Sequence, residues 1–277
     1  MRPAARERRV GPGRRSVGEA ILDAILPPSC MLCAKLLPAG AAHGLCADCR
    51  DGLVDIHPPL CRRCGMPFLQ GEITRECGDC SREKPAYDML RAPYLYTGAL
   101  RRAILQFKFE RQTAYTRGLA GLLATVHGLG IDLDDYDLAM PVPLHRMRLR
   151  RRGYNQALLL GRRLLARVDL PLRHDVLARV KNTTPQPGLS MRQRRLNVKD
   201  AFQVLRPDAV VGRKVLLIDD IVTTGATMDA CAKALKAAGA ERVDGIAVAR
   251  PPGREMTGLP EEETTPVARA RVNLIGG

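Results

Sequence analysis

The chain of 277 residues has no tryptophan, four phenylalanines and six tyrosines, so only 4% of it is aromatic. That scarcity excludes an extended platform for stacking nucleobases; contact with single-stranded nucleic acid would be mainly electrostatic and salt-sensitive. No apolar run approaches the ~20 residues needed to span a bilayer, and the N-terminus lacks the apolar core of a secretory signal, so the expected location is the cytoplasm, with no membrane span. Acidic residues are in deficit: 44 lysines and arginines face 29 aspartates and glutamates, a formal charge of +15. This balance favours polyanionic partners, nucleic acid or phosphate-rich ligands, without choosing among them. Part of it says little about a binding face, because residues 1–15 hold six arginines and one glutamate among proline and glycine.

What is present suffices for one sizeable core and a smaller module, with 45% apolar residues. A basic flexible tail and short helix are expected over 1–28, the helix carrying Val17, Ile21, Leu22 and Ile25 on one face and stopped by Pro27 and Pro28. A Cys-rich module follows over 29–82. From there to residue 250 strand-like and helix-like segments alternate, as in an α/β fold with a mainly parallel sheet. Its last unit is KVLLID (214–219), the helix ATMDACAKALKAAGA, and RVDGIAVAR (242–250). Residues 251–277, with weak periodicity, read as a flexible tail.

Eight of the nine cysteines form four C-x-x-C pairs: Cys30/Cys33, Cys46/Cys49, Cys61/Cys64 and Cys77/Cys80. Twelve residues separate the first two pairs and twelve the last two, so the block repeats itself. A C-x-x-C turn aims two thiolates at one tetrahedral Zn²⁺, and two turns fill all four positions with sulfur. A filled shell leaves no position for substrate, which makes the expected zinc structural. A disulfide framework is the competing reading, disfavoured in a reducing compartment. Sequential, interleaved and nested pairing use the same residues, and the spacing leaves all three open, as it does the number of metals bound. Cys231 stands apart with Met228 and Leu235 at helical spacing, and is expected in the core.

The stretch VLLIDDIVTTGATM (215–228) ends a buried strand in two carboxylates, then turns through small hydroxyl residues and glycine into a helix. Such a turn lies where a parallel sheet binds its ligands, and a helix N-terminus offers unpaired N–H groups to a phosphate. Thr223, Thr224 and Thr227 add hydroxyl donors, while Gly225 lets the backbone wrap the anion. Carboxylates pointing inward would repel a phosphate, so Asp219 and Asp220 are expected to accept from a ribose diol, with Mg²⁺ as a candidate mediator. The plain alternative is an aspartate-initiated turn with a threonine cap.

This stretch resembles the phosphoribosyl pyrophosphate (PRPP) signature of type I phosphoribosyltransferases. The resemblance implies that Asp219 and Asp220 serve the ribose and the catalytic centre, and that Thr223, Thr224, Gly225, Ala226 and Thr227 hold the 5-phosphate. Two further stretches, PVPLHRMRLRRRGYNQA (141–157) and TTPQPGLSMRQRRLNVKDAF (183–202), together with the double C-x-x-C block, resemble the ComF family, associated with DNA uptake and natural transformation. Arg152, Gly153, Tyr154, Asn155 and Gln156 carry the likeness, with tyrosine where phenylalanine is more usual. The family implies a type I phosphoribosyltransferase domain over 83–250 behind a double zinc ribbon. It also implies Mg²⁺ with PRPP, a pyrophosphate grip by Arg148 and Arg152, and a loop at 189–197 closing over the site with Arg192, Arg194 or Arg195 reaching pyrophosphate, Arg194 being the one singled out. Where the 6-oxopurine enzymes carry an aspartate, this chain has Thr223, which argues against hypoxanthine or guanine as acceptor. Two roles follow from the likeness: phosphoribosyl transfer to an unnamed acceptor, or PRPP binding without turnover in a factor that handles single-stranded DNA and meets DNA-uptake proteins. His145 is read as a turn or core residue rather than a general acid.

Overall fold

The apolar runs VLLI (215–218) and IAVA (246–249) lie at the centre of the sheet, as strands buried on both faces require. The computed structural model describes residues 29–37, 44–68, 76–110, 112–183 and 191–253. The expected N-terminal helix, the first two residues of the expected closing loop and nearly all of the C-terminal tail lie outside them, and the remainder of that loop, 191–197, is helical rather than irregular. Strands β1 (Met89–Arg91), β2 (Tyr94–Leu95), β3 (Leu138–Pro141), β6 (Lys214–Ile221) and β7 (Arg242–Arg250) form one parallel sheet. Its order is β1, β7, β6, β3, with β2 continuing the β1 edge beside β7. Leu172 adds a parallel bridge to Ala139 outside β3. Two short strands, β4 (Leu177–Arg179) and β5 (Phe202–Val204), pair antiparallel in a separate ribbon that the sequence pattern did not reveal.

The described residues form eight α-helices and three short 3-10 turns; the α-helices are α1 (Ala47–Asp51), α2 (Gly78–Arg82), α3 (Gly98–Phe109), α4 (Tyr115–Ala124), α5 (Arg146–Arg152), α6 (Gln156–Leu164), α7 (Met191–Val198) and α8 (Ala226–Ala237). Helix α3 buries Leu100, Ala103, Ile104 and Phe107, the stripe expected of a helix with one face on a sheet. Alternation along β6 sorts the core into two layers. Leu216 and Ile218 face α3, α4 and α6; Val215 and Leu217 face α8 and the β4–β5 ribbon. No helix among the described residues is long and apolar enough to cross a membrane.

The connections place a crevice. After β3 the chain runs outward through α5 and α6 to Leu172; after β6 it runs the opposite way through α8 to β7. The switch point is thus at the carboxyl ends of β3 and β6, where open α/β sheets bind ligands. The arginine-rich stretch follows one of these ends and the Asp-Asp-Thr-Thr-Gly stretch the other.

Candidate functional site

The cysteines resolve into sequential sets. Cys30, Cys33, Cys46 and Cys49 converge in one group and Cys61, Cys64, Cys77 and Cys80 in another, the sulfurs of each lying within 4.8 Å of one another. Tetrahedral Zn–S bonds of ~2.3 Å put sulfurs about 3.8 Å apart; Cys33 and Cys46 are separated by 3.6 Å, as are Cys64 and Cys77. The Cys77 N–H donates to Cys61 Sγ at 3.3 Å, the kind of bond that steadies a thiolate ligand. All nine cysteines are unbridged. Two Cys₄ groups of this build fit structural zinc. Cys231 is buried in the core, as its spacing suggested.

At the switch point, Gly225 caps α8 in the left-handed conformation (φ 75°), which a Cβ would strain; the added atom would also stand 3.0 Å from Tyr87 Oη. Ala226 N–H donates to Thr224 Oγ1 at 3.4 Å. Thr223 is exposed, Thr224 and Thr227 are half-buried, and Ala226 is buried. The turn therefore offers hydroxyls and the first amides of a twelve-residue helix to the crevice.

Adjacent strand residues point to opposite faces, and Asp219 and Asp220 obey that rule. Asp220 falls on the α3 side, where Lys108 Nζ meets its Oδ1 at 2.8 Å; the two side chains are 14% and 6% exposed. Asp219 falls on the α8 side, partly exposed, its Oδ1 accepting the Asp220 N–H at 2.9 Å. Enclosure by protein, then the neighbouring charge of Asp220, push the Asp219 carboxyl up to about 7, while Lys108 pulls the other way. One acid thus sits in an ion pair with Lys108, and burial and its neighbour raise the other well above the usual carboxylate range.

Across from Asp219 stands a group of arginines. Arg148 and Arg152 lie on α5, and Arg179, 9% exposed, comes from β4. Arg148 donates to the Thr183 carbonyl, and Arg179 to Thr183 Oγ1 while lying over the Phe202 ring at 5.3 Å. Arg179 Nε is buried without a partner. Desolvation, then repulsion from Arg179, Arg152 and Arg151, lower Arg148 to about 10. Burial lowers Arg179 too, against the attraction of Asp219. Among the described residues no carboxylate forms an ion pair with Arg148, Arg152 or Arg179. Mutually repelling guanidinium groups of this kind suit an anion with several oxygens. Arg152 also bonds Gln156 Oε1 at 3.1 Å and covers the Phe109 ring at 5.1 Å. Arg194 is half-buried on α7, a helix packed against α8, and its neighbour Arg195 pairs with Glu83. His145 caps α5, Nδ1 accepting from Met147 N–H at 3.3 Å, the turn role expected of it.

Sequence reasoning missed Lys108 and Arg179. Lys108 had one signal, a lysine between Phe107 and Phe109 at the end of an amphipathic helix; Arg179 had none, since its neighbours come from elsewhere in the chain.

A parallel sheet with a phosphate-type turn and an acid pair at its switch point, preceded by two Cys₄ groups, defines a phosphoribosyltransferase-like domain behind a double zinc ribbon. Residues 21–81 match the family described as "Double zinc ribbon domain", and residues 155–259 the "Phosphoribosyl transferase domain". The chain is 34% identical over 218 residues to "Competence protein F" of Haemophilus influenzae (strain Rd), covering 76% of this chain and 92% of that one. It is 32% identical over 224 residues to "DNA utilization protein YhgH" of Escherichia coli (strain K12), covering 79% and 95%. With "Competence protein ComFC" of Bacillus subtilis (strain 168) it shares 28% over 199 residues, covering 69% and 77%. The chain belongs to the ComF family.

Proposed function

We propose that this protein binds PRPP at the crevice between β3 and β6 and acts in DNA uptake. The 5-phosphate sits on the turn 223–227, the ribose diol against Asp219 and Asp220, and the pyrophosphate on Arg148 and Arg152, with Arg194 approaching on α7. The observation that carries the reading is the group Arg148, Arg152 and Arg179, which among the described residues pairs with no acid, set across the switch point from a carboxyl pair and a helix N-terminus. That arrangement matches a ligand with an anion at each end and hydroxyls between. Mg²⁺, when bound with PRPP, would screen the pyrophosphate oxygens. If turnover occurs, the C1–O bond to pyrophosphate breaks as a bond from C1 to a nitrogen nucleophile forms, and the nucleophile's proton passes to solvent. The site would contribute by positioning and by stabilising the departing anion.

A second reading drops the turnover and keeps the binding: a PRPP-responsive factor handling single-stranded DNA. The names of the relatives, competence and DNA utilization proteins, and the charge of +15 favour it. Pyrophosphate release from PRPP, measured over a panel of bases and single-stranded DNA against an Asp219→Asn, Asp220→Asn control, separates the two. Release above the control supports transfer; saturable binding without release supports the second reading. Thr224→Glu should weaken PRPP at least about tenfold by placing like charge in the cradle. Unchanged affinity would remove the cradle from the proposal.

A further inference from the structure

We infer that Lys108 is a ligand-contacting cation that does at the ribose end what a divalent metal would otherwise do, and that the Arg-Gly-Tyr-Asn-Gln stretch at 152–156 holds it in place. The inference rests on the PRPP reading and deepens it. Lys108 Nζ lies 2.8 Å from Asp220 Oδ1 with both side chains largely withdrawn from water. A metal ion seeking that oxygen must first displace an ammonium whose own charge would then be stranded, so the chain has already filled the role of counter-ion. An ammonium has three donors, and one is engaged by Asp220; a ribose hydroxyl can take another.

The end of α3 does not hold this position by helix propensity alone. Tyr154 Oη donates to the Phe107 carbonyl at 2.6 Å, and the two rings pack at 5.8 Å. Gln156 Nε2 reaches the carbonyls of Phe107 and Lys108, each at 3.5 Å. Arg152 covers Phe109 and bonds Gln156. Three side chains of one five-residue stretch thus converge on residues 107–109, and the carbonyls they satisfy are those left open at a helix C-terminus. Tyr154 and Gln156 are positioning residues for Lys108.

The test is calorimetric titration of the zinc-replete full chain with ribose 5-phosphate, which has no pyrophosphate to recruit metal, with and without Mg²⁺. Wild-type affinity should change less than about twofold with Mg²⁺. Lys108→Met should weaken binding about tenfold or more and make it respond to Mg²⁺, which then enters the vacated place beside Asp220. Lys108→Arg should stay metal-independent. Tyr154→Phe, which removes one hydroxyl, should weaken binding about threefold and introduce a smaller Mg²⁺ response, a change that general loosening of the fold would not produce. Wild-type binding that requires Mg²⁺ overturns the inference, as does Lys108→Met binding like wild type. Should Lys108→Met fail to fold, Lys108→Arg and Tyr154→Phe decide on the same criteria. If wild type binds PRPP while these expectations fail, the PRPP reading survives alone; if it binds neither PRPP nor ribose 5-phosphate, both fall.

Discussion

The two cysteine ribbons repeat each other with an offset of 31 residues (61 − 30, 64 − 33, 77 − 46, 80 − 49), and the repeat is visible in the backbone. Cys30 N–H donates to the Lys35 carbonyl at 2.7 Å and Cys61 N–H to that of Met66 at 2.8 Å. The helices α1 and α2 start after the equivalent Cys46 and Cys77. What differs is the attachment to the sheet. The first ribbon joins the α3 and α4 layer through Cys30, Leu37, Leu45 and Leu53, and residues 54–56 run along β2, Leu95 N–H donating to the Val54 carbonyl at 2.8 Å. The second joins the α8 layer through Tyr87 and Cys64, and is tied by buried arginines. Arg91 donates to the carbonyls of Cys61 (3.3 Å), Arg62 (3.2 Å), Leu90 (2.9 Å) and Leu129 (3.0 Å), and Arg250 to that of Cys64. Zinc held by four thiolates has a formal charge of 2 − 4 = −2, which these two guanidinium groups balance from inside the protein. At the first ribbon the nearby cation is the exposed Lys35. One module therefore holds to the domain by apolar contact and backbone pairing with β2, and its duplicate has become part of the domain's charge balance.

That contrast is broken most severely at the ligands. A structural zinc contributes its binding free energy to folding. Cys61→Ser should cost more than about 4 kcal/mol, since the buried Arg91 and Arg250 lose their counter-charge along with the metal. Cys33→Ser, at an exposed ligand of the first ribbon, should remove one zinc from about two per chain and cost about half as much. Urea midpoints with elemental analysis check both; equal losses would mean that the attachments are equivalent. Arg91→Met comes next, at about 3 kcal/mol, because it leaves four carbonyl bonds to be remade in a dry site. The second site should still bind zinc, but more weakly in a competition with a chromogenic chelator.

Much of this was legible in the sequence because it depends on local pattern. The four cysteine pairs, the apolar runs of β6 and β7 and the glycine before α8 are each fixed by spacing or backbone geometry. The pairing of the cysteines was not legible, since it depends on which knuckles the fold brings together. The β4–β5 ribbon was hidden by strands of three residues, too short for a periodicity. At the site, Asp219 and Asp220 stand out in the sequence as a pair, yet their division between two faces follows from strand alternation and gives them different partners. Lys108 and Arg179 derive their character from neighbours about 112 and 40 residues away in sequence, Asp220 and Asp219 (220 − 108 and 219 − 179), and no local pattern reports that.

The finest probe of the comparison is one equivalent position in the two ribbons. Ala34 and Gly65 both follow the second cysteine of a knuckle and both have positive φ, 61° and 69°. The conformation alone does not demand glycine, because the first ribbon tolerates alanine there. Glycine is required in the second by the sheet: a Cβ on Gly65 would stand 2.5 Å from the Leu90 carbonyl oxygen, a backbone atom of β1 that also cannot rotate away. Gly65→Ala should therefore cost about 2–3 kcal/mol, combining left-handed strain with a forced separation of knuckle and strand. Ala34→Gly should stabilise by about 0.5 kcal/mol, the relief of that same strain less the added entropy of the unfolded chain. Thermal unfolding of the two variants, with zinc content held constant, reads the difference. Costs of similar size and the same sign would show that the second ribbon's tie to β1 carries no more weight than the first ribbon's packing.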